Sequence, residues 1–151
     1  MIHAPAPNPT RAAGFTLIEI MVVVVILGIL GAMIVPKIMD QPDKARVAKA
    51  RQDIQSLQTA LSLYKLDNFT YPSTQQGLQT LVARPAGDPP APNWKAGGYI
   101  QKLPNDPWGH PYQYLNPGTH GDEYDLFSLG ADGQPDGTGI NADIGNWNLD
   151  Q

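Results

Sequence analysis

The sequence predicts an α+β fold, in which a long N-terminal helix packs on a small antiparallel β-sheet head. Three observations support this prediction: an apolar run near the N-terminus, an amphipathic helical stripe after it, and short strand-like segments among Gly- and Pro-rich loops near the C-terminus. The chain has 151 residues, which leaves room for one compact domain beyond the apolar run.

The apolar run covers residues 15–35 and contains a single charged residue, Glu19. A helix rises about 1.5 Å per residue, so this run is long enough to cross roughly 30 Å of hydrocarbon. We therefore expect a membrane-spanning helix over 15–35. A carboxylate inside such a segment is costly, so Glu19 should have either a partner or a function.

An amphipathic helix is predicted over residues 44–67, as the first element of a head that covers 36–151. Apolar residues recur there at spacings of three and four, at Val47, Ala50, Ile54, Leu57, Leu61 and Tyr64. The opposite face is polar. Such a stripe is typical of a helix that packs on its own domain, so we expect it to cover the head.

The remainder of the head is predicted to consist of loops and a small sheet. Residues 68–110 form a loop region rich in Pro and Gly, with one short helix over 75–82. Strand-like composition marks 111–116 and 124–130, and 99–102 is a candidate third strand. The segment 111–151 therefore holds the sheet together with an acidic loop.

Charge and residue usage exclude several functional classes. The last 49 residues, from Leu103 onward, carry 8 of the 14 acidic residues and none of the 10 Lys and Arg, which argues against a nucleic-acid surface there. The sequence has no Cys, so disulfides and thiolate sites are excluded. It has no G-x-S-x-G, H-E-x-x-H or phosphate-loop motif, and its three His are scattered. We expect no catalytic residues, no organic cofactor and no enzymatic activity.

The acidic loop between the last predicted strand and the C-terminus has the composition of a cation site. Compared with the helix-flanked calcium loop D-x-[DN]-x-[DN]-G-x5-E, Asp132, Asp136, Gly137 and Asp143 match, but Gln134 and the final Asp depart. The loop also follows a strand, so we reject the helix-loop-helix assignment. Oxygen ligands on a Gly-rich loop still suit calcium, and a solvated acidic loop is the alternative.

Two sets of residues resemble a known family. The stretch "GFTLIEIMVVVVILGIL" resembles the N-terminal signal of type IV pilin-like proteins. The strings "YKLDNFTYPSTQQGLQTLV", "LPNDPWGHPYQYLNPG", "YDLFSLGADG" and "ADIGNW" resemble the major pseudopilins, the G-type subunits, of type II secretion systems. The resemblance covers residues 14–147 and implies a pilin-like fold.

The resemblance implies how the N-terminus is used. Residues 1–14 would be a cytoplasmic leader that a prepilin peptidase removes by cutting between Gly14 and Phe15, and Phe15 would become the methylated terminus. Glu19 would act in assembly, since a carboxylate four residues after a charged amino terminus can pair with the terminus of a neighbouring copy. The head would be periplasmic. Loop charge alone gives the opposite orientation, because basic residues are concentrated after the apolar run.

The resemblance also implies a structural calcium ion in the C-terminal loop. Asp132 and Asp143 would provide carboxylate ligands and Leu129 its carbonyl oxygen. Thr138 and Asn141 are further candidate ligands.

The implied function is that of a structural subunit, which polymerises into a periplasmic pseudopilus and helps drive folded exoproteins through the outer-membrane secretin. The partners would be further copies of the chain, minor pseudopilins, an inner-membrane assembly platform and the prepilin peptidase. The chain would cross the bacterial inner membrane once and enter a periplasmic filament on assembly. The alternatives are a type IV pilin of a surface pilus and, in a different class, a membrane-anchored calcium-dependent hydrolase or lectin.

Overall fold

The computed structural model describes residues 14–39 and 41–150, with side chains described in these ranges except at 33–39 and 41. The chain divides into two compact units, Met1–Asp40 and Gln41–Gln151. The leader residues 1–13 lie outside the described residues.

The described part of the first unit, residues 14–39, contains one helix, α1, over Leu17–Met39. Thr16 caps its N-terminus, because the backbone N–H of Glu19 donates to Thr16 Oγ1 at 3.3 Å and the N–H of Ile20 to the Thr16 carbonyl at 3.3 Å. Its described apolar side chains are exposed on every side of the helix. None of the helices in the ranges 14–39 and 41–150 reaches the length and apolarity that crossing a membrane requires. The expected span over 15–35 is therefore not confirmed; it includes residues 33–35, whose side chains lie outside the described residues.

The second unit is built on a 28-residue helix, α2, over Gln41–Asn68. Its buried apolar residues follow the predicted stripe, and they are Ala50, Ile54, Leu57, Ala60, Leu61 and Tyr64. Val47, the first residue of the predicted stripe, is only half-buried. The helix begins earlier than the predicted range 44–67, because Pro42 lies in its first turn, where a missing N–H costs no intrahelical hydrogen bond.

Three antiparallel strands form the sheet: β1 over Gln113–Leu115, β2 over Asp125–Ser128 and β3 over Ile144–Gly145, in that order. In the register, Tyr114 lies opposite Leu126 and Phe127 opposite Gly145. The stripe of α2 packs with buried side chains of all three strands, Tyr114, Leu126 and Ile144, in one hydrophobic core. The α+β prediction, a long helix packed on a small antiparallel sheet, is confirmed for this unit.

Three local predictions differ from the structure. The short helix expected over 75–82 is a single 3-10 turn over Leu78–Leu81, which begins after Gly77 at a φ of 60°. The candidate strand 99–102 is not a strand, because the N–H groups of Tyr99 and Ile100 both donate to the Leu81 carbonyl and hold the segment against that turn. The third strand is instead β3, which is only two residues long and too short to give an alternating pattern.

Candidate processing, assembly and cation sites

The predicted cleavage site lies just before α1. Gly14 and Phe15 have no regular secondary structure, and Phe15 is 79% exposed. No described atom lies within 4 Å of the position that a Cβ at Gly14 would occupy. The peptide bond between them is therefore accessible within the first unit.

Glu19 lies in the first turn of α1, where a carboxylate interacts favourably with the helix dipole. Its side chain is exposed and makes no ion pair with any residue in the described ranges. A carboxylate in an apolar segment is expected to have a positively charged partner. The described part of the same chain does not provide that partner for Glu19.

The C-terminal loop folds back on itself between β2 and β3. The N–H of Ala131 donates to the Ile140 carbonyl at 2.9 Å, and a Cβ at Gly130 or Gly137 would overlap Asn141. Both glycines have positive φ, 69° and 96°, so the close approach depends on their lack of a side chain. Asn141 therefore lies beside the residue that follows Leu129.

The two candidate carboxylates differ in their surroundings. Asp143 Oδ2 accepts the backbone N–H of Asp136 at 3.1 Å, while Asp143 Oδ1 is buried and has no hydrogen-bond partner. Asp132 is exposed, and its Oδ1 accepts the N–H of Gln134 at 3.1 Å. A buried carboxylate oxygen without a partner is costly, and an ordered water or a cation would satisfy it.

An open cavity of about 360 Å³ lies next to this loop. Its lining includes Leu129 and Asp143, but not Asp132, Thr138 or Asn141. Across the described part of the chain, no three carboxylate or imidazole side chains are gathered closely enough to hold one metal ion. A cation here would therefore depend on Asp143, one further carboxylate and backbone oxygens.

A buried carboxylate outside the acidic loop, Asp125, closes the turn before β2 and was not identified from the sequence. It is fully buried, and its Oδ2 accepts hydrogen bonds from Thr119 N–H at 2.8 Å and Thr119 Oγ1 at 2.6 Å. Oδ2 also lies 2.9 Å from His120 Nδ1. Burial raises the pKa of the Asp125 carboxyl, but these hydrogen bonds outweigh burial and bring the pKa down to about 2.

A second buried carboxylate, Asp106, joins the loop before β1 to the start of the acidic loop. Its Oδ1 accepts the N–H groups of Trp108 at 3.0 Å and His110 at 2.8 Å, and its Oδ2 accepts Ser128 Oγ at 2.6 Å. Ser128 Oγ in turn accepts the N–H of Gly130 at 3.1 Å. Asp106 therefore positions the end of β2, from which the candidate ligand Leu129 follows directly.

Comparison with known proteins identifies the family. A long N-terminal helix, a small antiparallel sheet and an N-terminal cleavage signal define a pilin-like protein. The family model "Type II secretion system (T2SS), protein G" matches residues 37–147, and the "Prokaryotic N-terminal methylation motif" matches residues 9–35. The chain belongs to the type II secretion system protein G family.

Relatives share most of their length with the chain. It is 62% identical over 137 residues to the type II secretion system core protein G of Pseudomonas aeruginosa, covering 91% of this chain and 96% of the relative. The Vibrio cholerae protein of the same name is 55% identical over 139 residues, covering 92% and 94%. The crystal structure of the major pseudopilin from the type 2 secretion system of enterohaemorrhagic Escherichia coli is similar, with a TM-score of 0.65 and 46% identity, covering 72% of this chain and 92% of that one.

Proposed function

We propose that the chain is the polymerising subunit of a periplasmic pseudopilus, which helps a type II secretion system move folded exoproteins through an outer-membrane secretin. The match of the protein G family model to residues 37–147 carries this proposal. Further copies of the chain would be its main partner, with minor pseudopilins and the inner-membrane assembly platform as the others.

Processing would precede assembly. The methylation motif covers residues 9–35, and the accessible bond between Gly14 and Phe15 lies inside it. Cutting there by a prepilin peptidase removes the leader 1–14 and leaves Phe15 as the methylated terminus. Glu19 would then lie four residues from a positive charge.

The exposed surface of α1 supports assembly through this helix. Apolar side chains exposed on all sides need an apolar environment, which a bilayer offers before assembly and neighbouring helices offer afterwards. Glu19 favours the second environment, because pairing with a neighbour's amino terminus offsets the cost of burying its charge. Before assembly, the chain would thus reside in the inner membrane, with its head in the periplasm.

The C-terminal loop would hold a structural calcium ion. Asp143 Oδ1, which is buried without a partner, supports this proposal most directly. Asp132, the Leu129 carbonyl, Thr138 and Asn141 would complete the oxygen ligands, and calcium accepts irregular shells of six to eight oxygens. Neutralising the loop carboxylates would let the loop close on itself without charge repulsion.

The family is that of a structural subunit, so we propose no enzymatic activity. A surface type IV pilin is the second candidate among pilin-like structural subunits. A membrane-anchored hydrolase or lectin is the candidate from a different class of protein. The match to the protein G model over most of the head favours the pseudopilus.

Overproduction of the chain together with its secretion genes tests the proposal. Thin filaments that bind antibodies to the head should appear in electron micrographs, and a Gly14→Leu chain should give none. A processed chain that accumulates without filaments would overturn the proposal.

A further inference from the structure

The first turns of α2 form a basic segment, residues 42–49, that lacks a covering partner in the second unit. Every residue in it is exposed or half-buried, and full burial begins at Ala50. It carries three basic residues, Lys44, Arg46 and Lys49, against one acidic residue, Asp43. The segment therefore presents a net charge of three minus one, or +2.

Local ion pairs leave part of this charge without a partner. Arg46 pairs with Asp43 at 3.1 Å and Lys49 with Asp53 at 2.7 Å. Lys44 is exposed and makes no ion pair with any residue in the ranges 14–39 and 41–150. Lys44 is thus the cation of this segment that is available to another molecule.

The acidic loop, residues 129–143, presents the opposite charge at the other end of the sequence. It carries Asp132, Asp136 and Asp143, and the chain has no Lys or Arg after Lys102. Asp136 is exposed at a φ of 70°, its backbone N–H is held by Asp143, and its carboxylate makes no ion pair with a described residue. A calcium ion held by Asp132 and Asp143, as proposed, would leave the Asp136 carboxylate, which lines the same cavity as Asp143, without an ion-pair partner among the described residues.

We propose that the basic segment of one copy docks on the acidic loop of the next copy in the polymer, with Lys44 facing Asp136. This inference rests on the proposed polymerisation. The two surfaces are different patches of the same chain, so the contact is heterologous and can repeat without closing, as a filament requires. Complementary charge sets the orientation of the copies more than the strength of their association.

The basic segment and the acidic loop each contain an exposed apolar residue. Replacing these two residues by Cys allows the contact to be detected as a disulfide. Ala48 is exposed in the basic segment, and Ile140 is 40% exposed in the acidic loop. The chain has no Cys. Ala48→Cys together with Ile140→Cys therefore introduces one defined pair.

Oxidation of cells that assemble filaments from the full chain tests the contact. The chain with both cysteines should give a ladder of disulfide-linked multimers, whereas either cysteine alone should give no ladder, because the contact joins unlike surfaces. Filaments without a ladder would overturn the contact and leave the proposed function standing. If the chain formed no filaments in any form, the proposed function and the contact would both fall.

Substitutions that change charge test whether attraction between the basic segment and the acidic loop holds the two copies together. Lys44→Glu in the double-cysteine chain should lower the yield of the ladder about fivefold, since it replaces attraction by repulsion. Gln134→Lys in the same chain should restore the yield, because it places a positive charge within the acidic loop, opposite the carboxylate that Lys44→Glu introduces in the next copy. Lys102→Glu makes the same charge change at an exposed position outside both patches and should have no effect.

A ladder that is insensitive to Lys44→Glu would overturn the pairing of Lys44 with Asp136 as the basis of the docking. If that change also weakened binding of the full chain to phosphatidylglycerol vesicles, but not to phosphatidylcholine vesicles, the basic segment would belong to an anionic membrane surface instead.

Discussion

The imidazole of His120 lies flat on the indole of Trp147, with ring centroids 3.7 Å apart and the planes inclined by 6°. His120 Nδ1 also lies 2.9 Å from Asp125 Oδ2. The stack joins the turn before β2 to the C-terminal segment after β3, and both rings line the cavity beside the acidic loop. Trp147 thus forms part of the wall of the same cavity that Leu129 and Asp143 line.

Gly145→Ala should disrupt this stack. A Cβ at Gly145 would overlap the six-membered ring of Trp147, which must then leave His120. We expect the free energy of unfolding of residues 41–151 to fall by about 1–3 kcal/mol, as for other overpacked sites. Urea unfolding followed by tryptophan emission measures the change. The same substitution in a Trp147→Leu chain should cost little more, and an equal loss in both would show that the effect does not act through Trp147.

The buried carboxylate of Asp125 should make the head sensitive to acid. Its folded pKa is about 2, below the ordinary value of 3.8, so the unfolded state binds a proton more readily. Its stabilising contribution, about 2 kcal/mol, is complete above pH ~4 and is lost as the pH falls towards ~2. Urea unfolding of residues 41–151 at a series of pH values measures this slope.

Asp125→Asn is the matched variant for that titration. It should remove the contribution at neutral pH and flatten the part of the slope that Asp125 causes, while Asp88→Asn at an exposed loop position should not. Identical slopes for the unmodified and Asp125→Asn heads would contradict the assignment.

Calcium should raise the melting temperature of residues 41–151 relative to chelator. A ligand that binds only the folded state adds about 2.7 kcal/mol at a hundredfold excess over Kd. Asp132→Asn and Asp143→Asn should each reduce or abolish the difference, and Asp88→Asn should preserve it. Equal melting temperatures in calcium and in chelator would leave the loop as a solvated acidic surface.

Gly14→Leu should block processing. The accessible bond after Gly14 is the proposed cleavage site, and a bulky side chain there would obstruct a peptidase that requires a small residue. Immunoblots should show the full-length precursor in the membrane fraction. N-terminal sequencing that still found Phe15 as the first residue would contradict this prediction.

Glu19→Ala should separate processing from assembly. The exposed carboxylate has no ion-pair partner in the described part of its own chain, so its loss should leave cleavage intact. We expect fewer filaments and less exoprotein release, because the neighbour's amino terminus loses its partner. Glu19→Asp, which keeps the charge, should assemble better than Glu19→Ala. Normal filament numbers in the Glu19→Ala chain would mean that the carboxylate is not used in assembly.

Periodicity predicted the parts of the fold that repeat along the chain. The stripe from Ala50 to Tyr64 has the spacing of a helix and is buried as expected. Strand composition placed β1 and β2 to within a few residues. The two-residue strand β3 and the 3-10 turn at Leu78 are too short for a period, and hydrogen bonds from distant residues decide them.

The residues of the candidate sites also divide into those that the sequence indicated and those that only the folded chain reveals. Glu19 was found because it interrupts a uniform apolar run, whereas Gly14 and Phe15 were assigned from the resemblance to the N-terminal signal of pilin-like proteins. The acidic loop was found from its composition. Asp106 and Asp125 were missed because each looks like an ordinary loop acid, and only the folded chain brings Ser128 and Thr119 to their carboxylates. A Thr or His a few residues before an Asp in a Gly-containing turn was the available signal for Asp125.

Exoprotein release from a strain that lacks this chain tests the central claim most directly. The account predicts that exoproteins accumulate in the periplasm of the deletion strain, that the unmodified chain restores their release to the medium, and that the Gly14→Leu chain does not. Normal release in the deletion strain, or full restoration by the unprocessed chain, would contradict the assignment of this protein as the pseudopilus subunit.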